Sequence, residues 1–355
     1  MPKTTWFNAN GAYIKVKNIW GNVNGVWKQK VVPKGNINGV WKEFISYFPE
    51  KFFFIKERGT GNLGTGVELS EVNKDGNIVA TNKLGLNFML GFDIDKDGFI
   101  YSKNYSASTI SDNRPVAKYT PDYTEIWYRT ESNIYSESPT IAVDVDGYVY
   151  YRLGSQIFRI TRNGEYPLDA VYGRGTKSDV LAVDGDGMTY AEESSSQIQK
   201  RDWSLTEGGI WAISNISNIY HVTVDDERNV YISSLLYLDK YDRNGTRLKR
   251  VSNSAYGINY MVIGKDHSVY AVSKDGIKLF KLNSSLALVW EIEDAAKTFQ
   301  SVTVDPNNNI FTSGYTGYRK YDSNKNLIYN KQGTALNRNL IKSMPGSLGA
   351  FPNAW

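Results

Sequence analysis

Short runs of alternating apolar and polar residues follow one another along most of the chain and return at a nearly constant spacing. One recurring run ends in an aromatic residue, here called the aromatic marker: Tyr101, Tyr150, Tyr190, Tyr231, Tyr270 and Phe311, at steps of 49, 40, 41, 39 and 41 residues. A second run carries a basic marker: Lys118, Arg159, Lys200, Lys240, Lys281 and Lys320, at steps of 41, 41, 40, 41 and 39. Two markers that keep one register over more than 200 residues predict a repeat architecture.

Each repeat unit has the pattern of four short strands. Apolar residues alternate with polar ones within each run, which favours strands over helices. The breaks between runs are Asp-Gly pairs at 146–147 and 186–187 and Asn-Gly pairs at 163–164 and 244–245. These pairs tolerate the positive φ of hairpin turns. A four-stranded antiparallel unit of about 40 residues is typical of a β-propeller blade.

The number of units predicts an all-β, seven-bladed β-propeller over residues 45–355. Residues 51–83 match the second, third and fourth strands of a blade but lack a first strand, whereas LIKSMPGSLGAF at 340–351 begins where a further first strand is due. We therefore expect Leu340 to Met344 to pair with Phe52 to Lys56. In the alternative, Ile45 to Phe48 supplies the first strand and the C-terminal strand is added outside.

Residues 1–44 lack both markers and form a small β-hairpin module. GNVNGVWKQ and GNINGVWKE repeat with an offset of 14, and each places Asn-Gly between apolar residues, which predicts two tight hairpins. We expect Trp27 and Trp41 to pack together. Seven Lys and one Glu give the module +6, which leaves about −2 on the rest of a +4 chain. No nucleic-acid-binding motif accompanies this charge, so we expect a docking surface or solvated edge strands and no nucleic-acid partner.

The composition argues against several kinds of chemistry. The chain has no Cys and only two His, which excludes disulfides and thiolate zinc sites and leaves little imidazole chemistry. There is no Gly-x-Ser-x-Gly, phosphate-binding glycine loop or His-Glu-x-x-His motif, so no catalytic residue and no cofactor are predicted. A carboxylate pair such as Glu192 with Glu193 or Glu57 remains open, because a glycosidase needs only two acids. Neither a signal peptide nor an apolar membrane span is indicated, so synthesis in a cytoplasm is expected.

The longer loops of the blades should lie on one face of the propeller. Loops between second and third strands, and those leading into first strands, emerge opposite the tight Asp-Gly and Asn-Gly turns. Binding residues concentrate on such loops. The aromatic and cationic residues that we predict to bind ligand there are Tyr105, Tyr135, Arg152, Tyr172, Arg174, Lys177, Tyr220, Tyr256, Tyr260 and Tyr315.

Three recurring motifs are interpreted as structural. Asp93, Asp95, Asp97 and Gly98 match the start of a calcium loop, but Asp-x-Asp-Gly returns in phase with the blades, so a turn is favoured and no metal is predicted. We expect the basic marker to pair with the first-strand Asp of its own blade. The tryptophans of the fourth strands are expected to pack between outer strands.

The motif LAVDGDGMTYAEESSSQIQKRD resembles NHL-type repeats, and the fourth strands that carry Trp resemble PQQ-like propellers. Streptogramin-lyase-like propellers are similar in these repeats and use a His-based active site, for which only His221 is suitably placed here. The duplicated Asn-Gly-Val-Trp-Lys resembles short repeats of bacteriophage tail and fibre proteins. These resemblances imply a propeller fold and a virion tail component.

The leading functional hypothesis is a non-enzymatic binding protein of a bacteriophage tail. Its propeller would recognise a host cell-wall glycan or surface receptor, and residues 1–44 would attach it to other tail proteins. The alternatives are a polysaccharide-cleaving propeller enzyme and a purely structural or protein-binding propeller.

Overall fold

The structure is a computed structural model of the chain, and it divides the chain into two compact units, Met1–Phe48 and Pro49–Trp355. In the first unit it describes the six strands given below. In the second it describes residues 51–56, 68–82, 89–95, 98–104, 115–130, 140–144, 146–153, 156–166, 173–174, 181–194, 196–202, 210–254, 256–305, 307–314, 316–332 and 341–344. The described part of the chain contains no helix, and hence none that could cross a membrane.

The first unit contains three two-stranded hairpins. Their strands are β1 (Thr5–Ala9) and β2 (Ala12–Val16), β3 (Trp20–Val23) and β4 (Val26–Gln29), and β5 (Lys34–Ile37) and β6 (Val40–Glu43). Val23 pairs with Val26 and Ile37 with Val40, so the strands pair on either side of each Asn-Gly as predicted. The third hairpin, in which Ala9 pairs with Ala12, was not predicted. The expected packing of Trp27 and Trp41 lies outside the described side chains.

The second unit begins with β7 (Lys51–Lys56), β8 (Glu68–Val72) and β9 (Ile78–Asn82). Six antiparallel blades of four consecutive strands follow. Blade 1 is β10 (Met89–Ile94), β11 (Ile100–Asn104), β12 (Val116–Tyr119) and β13 (Glu125–Arg129); blade 2 is β14 (Ile141–Val143), β15 (Val149–Leu153), β16 (Gln156–Ile160) and β17 (Gly173–Arg174); blade 3 is β18 (Leu181–Val183), β19 (Thr189–Ser194), β20 (Gln197–Arg201) and β21 (Trp211–Ile213).

The remaining three blades have the same order. Blade 4 is β22 (Ile219–Val224), β23 (Val230–Ser234), β24 (Tyr237–Tyr241) and β25 (Arg247–Ser252); blade 5 is β26 (Ile258–Ile263), β27 (Val269–Ser273), β28 (Lys278–Leu282) and β29 (Leu288–Glu293); blade 6 is β30 (Ser301–Val304), β31 (Ile310–Gly314), β32 (Gly317–Tyr321) and β33 (Leu327–Gln332).

A composite sheet joins the two ends of the second unit. The last strand, β34 (Ile341–Met344), pairs with β7, with Ile341 opposite Phe54, and the sheet order is β34-β7-β8-β9. This confirms the predicted pairing of the C-terminal segment; the alternative strand at 45–48 lies outside the described residues. Six blades are each formed by four consecutive strands, whereas the prediction was seven blades. The remaining four-stranded sheet of the second unit is the composite sheet β34-β7-β8-β9. Strand β34 contacts both β30 and β10.

In blades 1 to 4, the first turn explains why an Asp and the aromatic marker recur together. In blade 3, Asp184 Oδ1 accepts hydrogen bonds from the Asp186 and Met188 amides at 3.0 Å, and Oδ2 accepts one from the Tyr190 hydroxyl at 2.9 Å. Asp144 makes the same contacts in blade 2. The turn interpretation of Asp-x-Asp-Gly is therefore confirmed for these blades.

Adjacent blades are joined by the basic marker and the fourth-strand tryptophan. Lys200 Nζ and Trp211 Nε1 both donate to the Arg243 carbonyl of blade 4 at 3.0 Å. Lys118 and Trp127 of blade 1 bind the Arg162 carbonyl of blade 2 in the same way. The predicted packing role of these tryptophans is confirmed. The lysines bind the next blade, a role that we did not predict, and an ion pair within the blade is formed by Lys281 with Asp266, at 2.9 Å.

Candidate binding face

Connections from first to second and from third to fourth strands lie at one end of the blades. Connections from second to third strands, and from one blade to the next, lie at the other end, here called the loop face. The second-to-third connection is long in blade 1, from Asn104 to Val116, but spans two residues in blades 2, 3, 4 and 6, which the sequence analysis did not predict. Of the ten predicted ligand-binding residues, Tyr105, Tyr135, Tyr172, Lys177 and Tyr315 lie outside the described residues. Arg174 lies in β17 opposite Gln156, but its side chain is not among those described.

Two of the predicted tyrosines lie at the loop-face ends of neighbouring first strands. Tyr220 lies at a β-bulge between Ile219 and His221. The bulge lets the strand present both Tyr220 and His221. The rings of His221 and Tyr260 lie 4.4 Å apart at an angle of 55°. Lys274 Nζ lies 5.0 Å from the Tyr220 ring. Blades 4 and 5 therefore bring together three half-exposed rings and an exposed cation.

Tyr256 and Arg152 are placed differently from this group. The Tyr256 ring packs edge-on against Phe280 at 5.4 Å, beside the apolar core of blade 5. Arg152 is fully buried near the end of β15. The structure thus assigns Tyr256 to packing and places Arg152 in the interior, whereas the sequence predicted both at a ligand surface.

Arg152 belongs to a set of residues that occupy one position in every blade. Each stands two residues after the aromatic marker and close to the loop face: Lys103, Arg152, Glu192, Ser233, Val272 and Ser313. All six are buried. The ionisable members lie in three successive blades, 1 to 3. We did not predict Lys103, although comparing this position between the repeats would have found it.

A rigid apolar tip projects from the loop face of blade 4. Leu235 and Leu236, between β23 and β24, are 45% and 46% exposed. Backbone hydrogen bonds hold the tip, from the Leu235 amide to the Ser217 carbonyl at 3.0 Å and from the Asn253 amide to the Leu236 carbonyl at 2.8 Å. Two exposed leucines on such a constrained backbone cost little entropy to present to a partner.

Tyr237 extends this apolar tip and is itself fixed in place. The Arg250 guanidinium lies 4.1 Å from the Tyr237 ring. Arg250 also binds both carboxylate oxygens of Asp239, at 2.7 and 2.9 Å, which raises the pKa of the guanidinium. The tip therefore ends in an aromatic ring covered by a permanent cation.

Two of the carboxylates proposed for glycoside cleavage lie in different environments. Glu192 is buried, whereas Glu193 lies at a bulge in β19 and accepts a hydrogen bond from Arg201 at 2.7 Å. Glu57 lies outside the described residues. A glycosidase needs two acids that face one substrate, and Glu193 is engaged in an ion pair instead.

One group among the described residues has the composition of a metal site, and it lies in the tight turns, away from the loop face. Oxygen or nitrogen atoms of Asp225, Glu227 and His267 come within 4.8 Å of one another. Both Asp225 oxygens already accept hydrogen bonds from Asn229, and one also accepts the Tyr231 hydroxyl at 3.0 Å. The turn accounts for this arrangement, which the sequence did not single out.

Comparison with known proteins supports the fold. No protein-family model matches the sequence. No curated protein matches it either. Solved structures match in fold, and the most informative are β-propeller lyases. A streptogramin B lyase has a TM-score of 0.57 at 10% identity, over 81% of this chain and 88% of that chain.

Two further structures give the same result. A catalytically inactive virginiamycin B lyase from Staphylococcus aureus with quinupristin has a TM-score of 0.54 at 14% identity, over 80% of this chain and 88% of that chain. A protein of unknown function from Bacteroides caccae has a TM-score of 0.50 at 13% identity, over 70% of this chain and 95% of that chain. At such identities the likeness establishes a β-propeller and leaves the function to the site.

Proposed function

We propose that this protein is a non-enzymatic binding protein that recognises a cell-surface glycan through the loop face, as part of a bacteriophage tail or fibre. The observation that carries the proposal is the group of half-exposed rings at the ends of β22 and β26, with Lys274 beside them. Aromatic faces bind the apolar faces of sugar rings, and polar neighbours orient the hydroxyl groups.

The apolar tip supports a macromolecular ligand in preference to a small one. Leu235, Leu236 and Tyr237 stand on the same face and reach solvent. Tyr and Arg are among the residue types that most often supply the binding energy of protein interfaces, and here Tyr237 and Arg250 lie beside the exposed apolar area of the two leucines. We propose that the tip contacts the receptor that carries the glycan, while the hairpins of residues 1–44 attach the protein to the tail.

A glycan array probed with the full-length chain tests the proposal. We expect binding to a subset of bacterial surface glycans, and we expect Tyr260→Ala to weaken it by tenfold or more, because this removes the ring that lies against His221. Tyr128→Ala is the matched control, since Tyr128 is an exposed tyrosine on the outer strand β13. Equal loss in both variants, or no binding by the unaltered chain, would contradict the proposal.

An enzymatic function is the second candidate. It is favoured by the lyases among the structural neighbours and by the position of His221 on the loop face. Incubation with quinupristin or with purified wall polysaccharides, followed by mass spectrometry, distinguishes the two candidates. Cleavage that is lost in His221→Ala would establish the enzyme and displace the binding proposal.

A further inference from the structure

Lys274 is an exposed cation on the loop face, and it forms no ion pair with any residue in the described part of the chain. Its amine lies 5.0 Å from the centre of the Tyr220 ring. At this distance a cation is attracted to the face of the ring, but the contact uses none of the three N–H donors of the ammonium group. The donors of Lys274 are therefore available to a ligand.

The backbone that carries Lys274 is fixed by hydrogen bonds. Lys274 follows β27, and its amide donates to the Gly257 carbonyl, between blades 4 and 5, at 2.7 Å. The Gly276 amide closes the turn by donating to the Ser273 carbonyl at 3.0 Å, and the Ser273 hydroxyl accepts the Lys278 amide at 2.8 Å. Binding therefore orders one side chain and not a whole loop, which keeps its entropic cost small.

The carboxylate that follows Lys274 in the sequence is engaged within the same turn. Asp275 accepts hydrogen bonds from the Ser273 hydroxyl and from the Ile277 amide. These two hydrogen bonds, together with the positive charge of Lys297, hold the pKa of Asp275 below its usual range. Asp275 thus has its own partners and does not neutralise Lys274 by direct contact.

Blade 4 shows that the fold does not require a cation at this position. Leu235 holds the equivalent place after β23, and its amide donates to the Asn218 carbonyl as the Lys274 amide donates to that of Gly257. Both side chains are exposed. Two neighbouring blades therefore present an apolar and a cationic side chain from equivalent backbone positions. The difference between them concerns what the face contacts and not how the blade folds.

Aromatic and polar groups that can bind a sugar lie on the same two blades. Their first strands carry a β-bulge at the same position, which is occupied by Tyr220 in blade 4 and by Asn259 in blade 5. The next residues are His221 and Tyr260, whose rings lie 4.4 Å apart. Asn259 is exposed, and its side-chain amide offers a donor and an acceptor for sugar hydroxyls.

We propose that the loop face of blades 4 and 5 binds an acidic sugar, one that carries a carboxylate or a phosphate group. The sugar ring lies on Tyr220, and its anionic group accepts the N–H donors of Lys274. The 5.0 Å between the amine and the ring is comparable to the width of one sugar residue, so a single residue reaches both. Charge-assisted hydrogen bonds are stronger than neutral ones, so Lys274 favours acidic over neutral sugars. The inference rests on the proposed glycan-binding function, since it names the class of sugar bound by the same site.

The size of the preference follows from the exposure of Lys274. An ion pair in open water contributes little, whereas a hydrogen bond to a charged group contributes more once the ligand covers it. We expect an acidic sugar to bind about tenfold more tightly than its uncharged counterpart at low salt. Because Lys274 stays close to solvent, the preference should fall severalfold between about 20 mM and about 500 mM sodium chloride.

Matched pairs of glycans on an array test this preference. Each pair contains an acidic bacterial polysaccharide fragment and the same fragment after its carboxylates are methyl-esterified or its phosphate groups are removed. The full-length chain should prefer the acidic member. Esterified and dephosphorylated pairs are scored separately, so the result also shows whether the anionic group is a carboxylate or a phosphate.

Substitutions of two lysines of blade 5 localise the effect. Lys274→Met should lower binding of the acidic members to the level of the neutral ones, whereas Lys274→Arg, which keeps the charge, should keep most of the preference. Lys278→Met is the matched control, because Lys278 is paired with Glu291 at 3.5 Å and with Glu293 at 3.6 Å. It should bind as the unaltered chain does. Thermal melts check that each variant folds.

Equal binding of acidic and neutral members by the unaltered chain would overturn the inference. An unchanged preference in Lys274→Met, or an equal loss in Lys278→Met, would do the same. These results differ from failure of the proposed function. If the unaltered chain binds neutral glycans equally well and Tyr260→Ala loses them, the glycan site stands without its acidic specificity. If the unaltered chain binds no glycan, the proposed function and this inference both fall.

Discussion

Gly245→Ala should destabilise the propeller through a single added methyl group. Gly245 lies in the turn between β24 and β25 with φ +85°, a conformation that costs an L-residue roughly 1–2 kcal/mol. A Cβ there would lie 3.1 Å from Trp211 Cδ2 of the preceding blade. Moving Trp211 would weaken its 3.0 Å hydrogen bond to Arg243, worth about 1 kcal/mol. We expect a total loss of about 2–3 kcal/mol in the free energy of unfolding.

The assay is urea unfolding followed by tryptophan fluorescence and by circular dichroism. Lys325→Gly is the matched control, because Lys325 occupies the same turn position in blade 6 with φ +67°. Glycine removes the cost of the positive φ, which stabilises the folded chain, but it also increases the entropy of the unfolded chain, which destabilises the fold. The two effects oppose each other, so this variant should be neutral or up to about 1 kcal/mol more stable. Gly245→Ala unfolding like the unaltered chain, or Lys325→Gly losing as much, would refute the reasoning.

Two further predictions concern pH and the chain ends. Burial raises the pKa of Asp144 to about 6, so its contribution to stability is complete below the unfolded pKa near 4 and is lost as pH rises through 6. The free energy of unfolding should fall by up to about 3 kcal/mol over this range. Asp144→Asn should remove this dependence in urea unfolding between pH 4 and 7, and an unchanged pH profile would contradict the prediction. Deleting residues 339–355 removes β34 and leaves backbone groups of β7 unpaired, so the melting temperature should fall by several degrees or more. A truncated chain that melts like the full one would show that β34 does not close the sheet.

The blades were predictable because the interactions that define them are local in sequence. Asp184 and Tyr190 are six residues apart and bind each other, so the turn leaves a visible pattern. The pairing of β34 with β7 joins distant parts of the chain, yet the constant spacing of the markers located it. Lys200 and Trp211 belong to patterns that recur in the sequence, but their acceptor could not be predicted, because it is a backbone carbonyl, which any residue provides.

The candidate site was predicted only in part, because its contacts run between repeats. His221 and Tyr260 are 39 residues apart, about one period, and they meet because they hold nearly the same position in adjacent blades. Tyr256, like Tyr260, is a tyrosine near the loop face, but its ring packs against Phe280. Sequence therefore does not distinguish exposed from packed rings.

The position two residues after the aromatic marker differs in chemistry between the blades. Within this one chain, blades 4, 5 and 6 fill it with Ser233, Val272 and Ser313, so a small or apolar residue is sufficient for the blade. Lys103 and Arg152 bury charged groups at the same place, which is more costly than Ser or Val. A loss of stability that the fold does not require is expected at functional positions. The repeat thus provides its own comparison, and it shows that blades 1 to 3 each bury an ionisable side chain that the blade fold does not require.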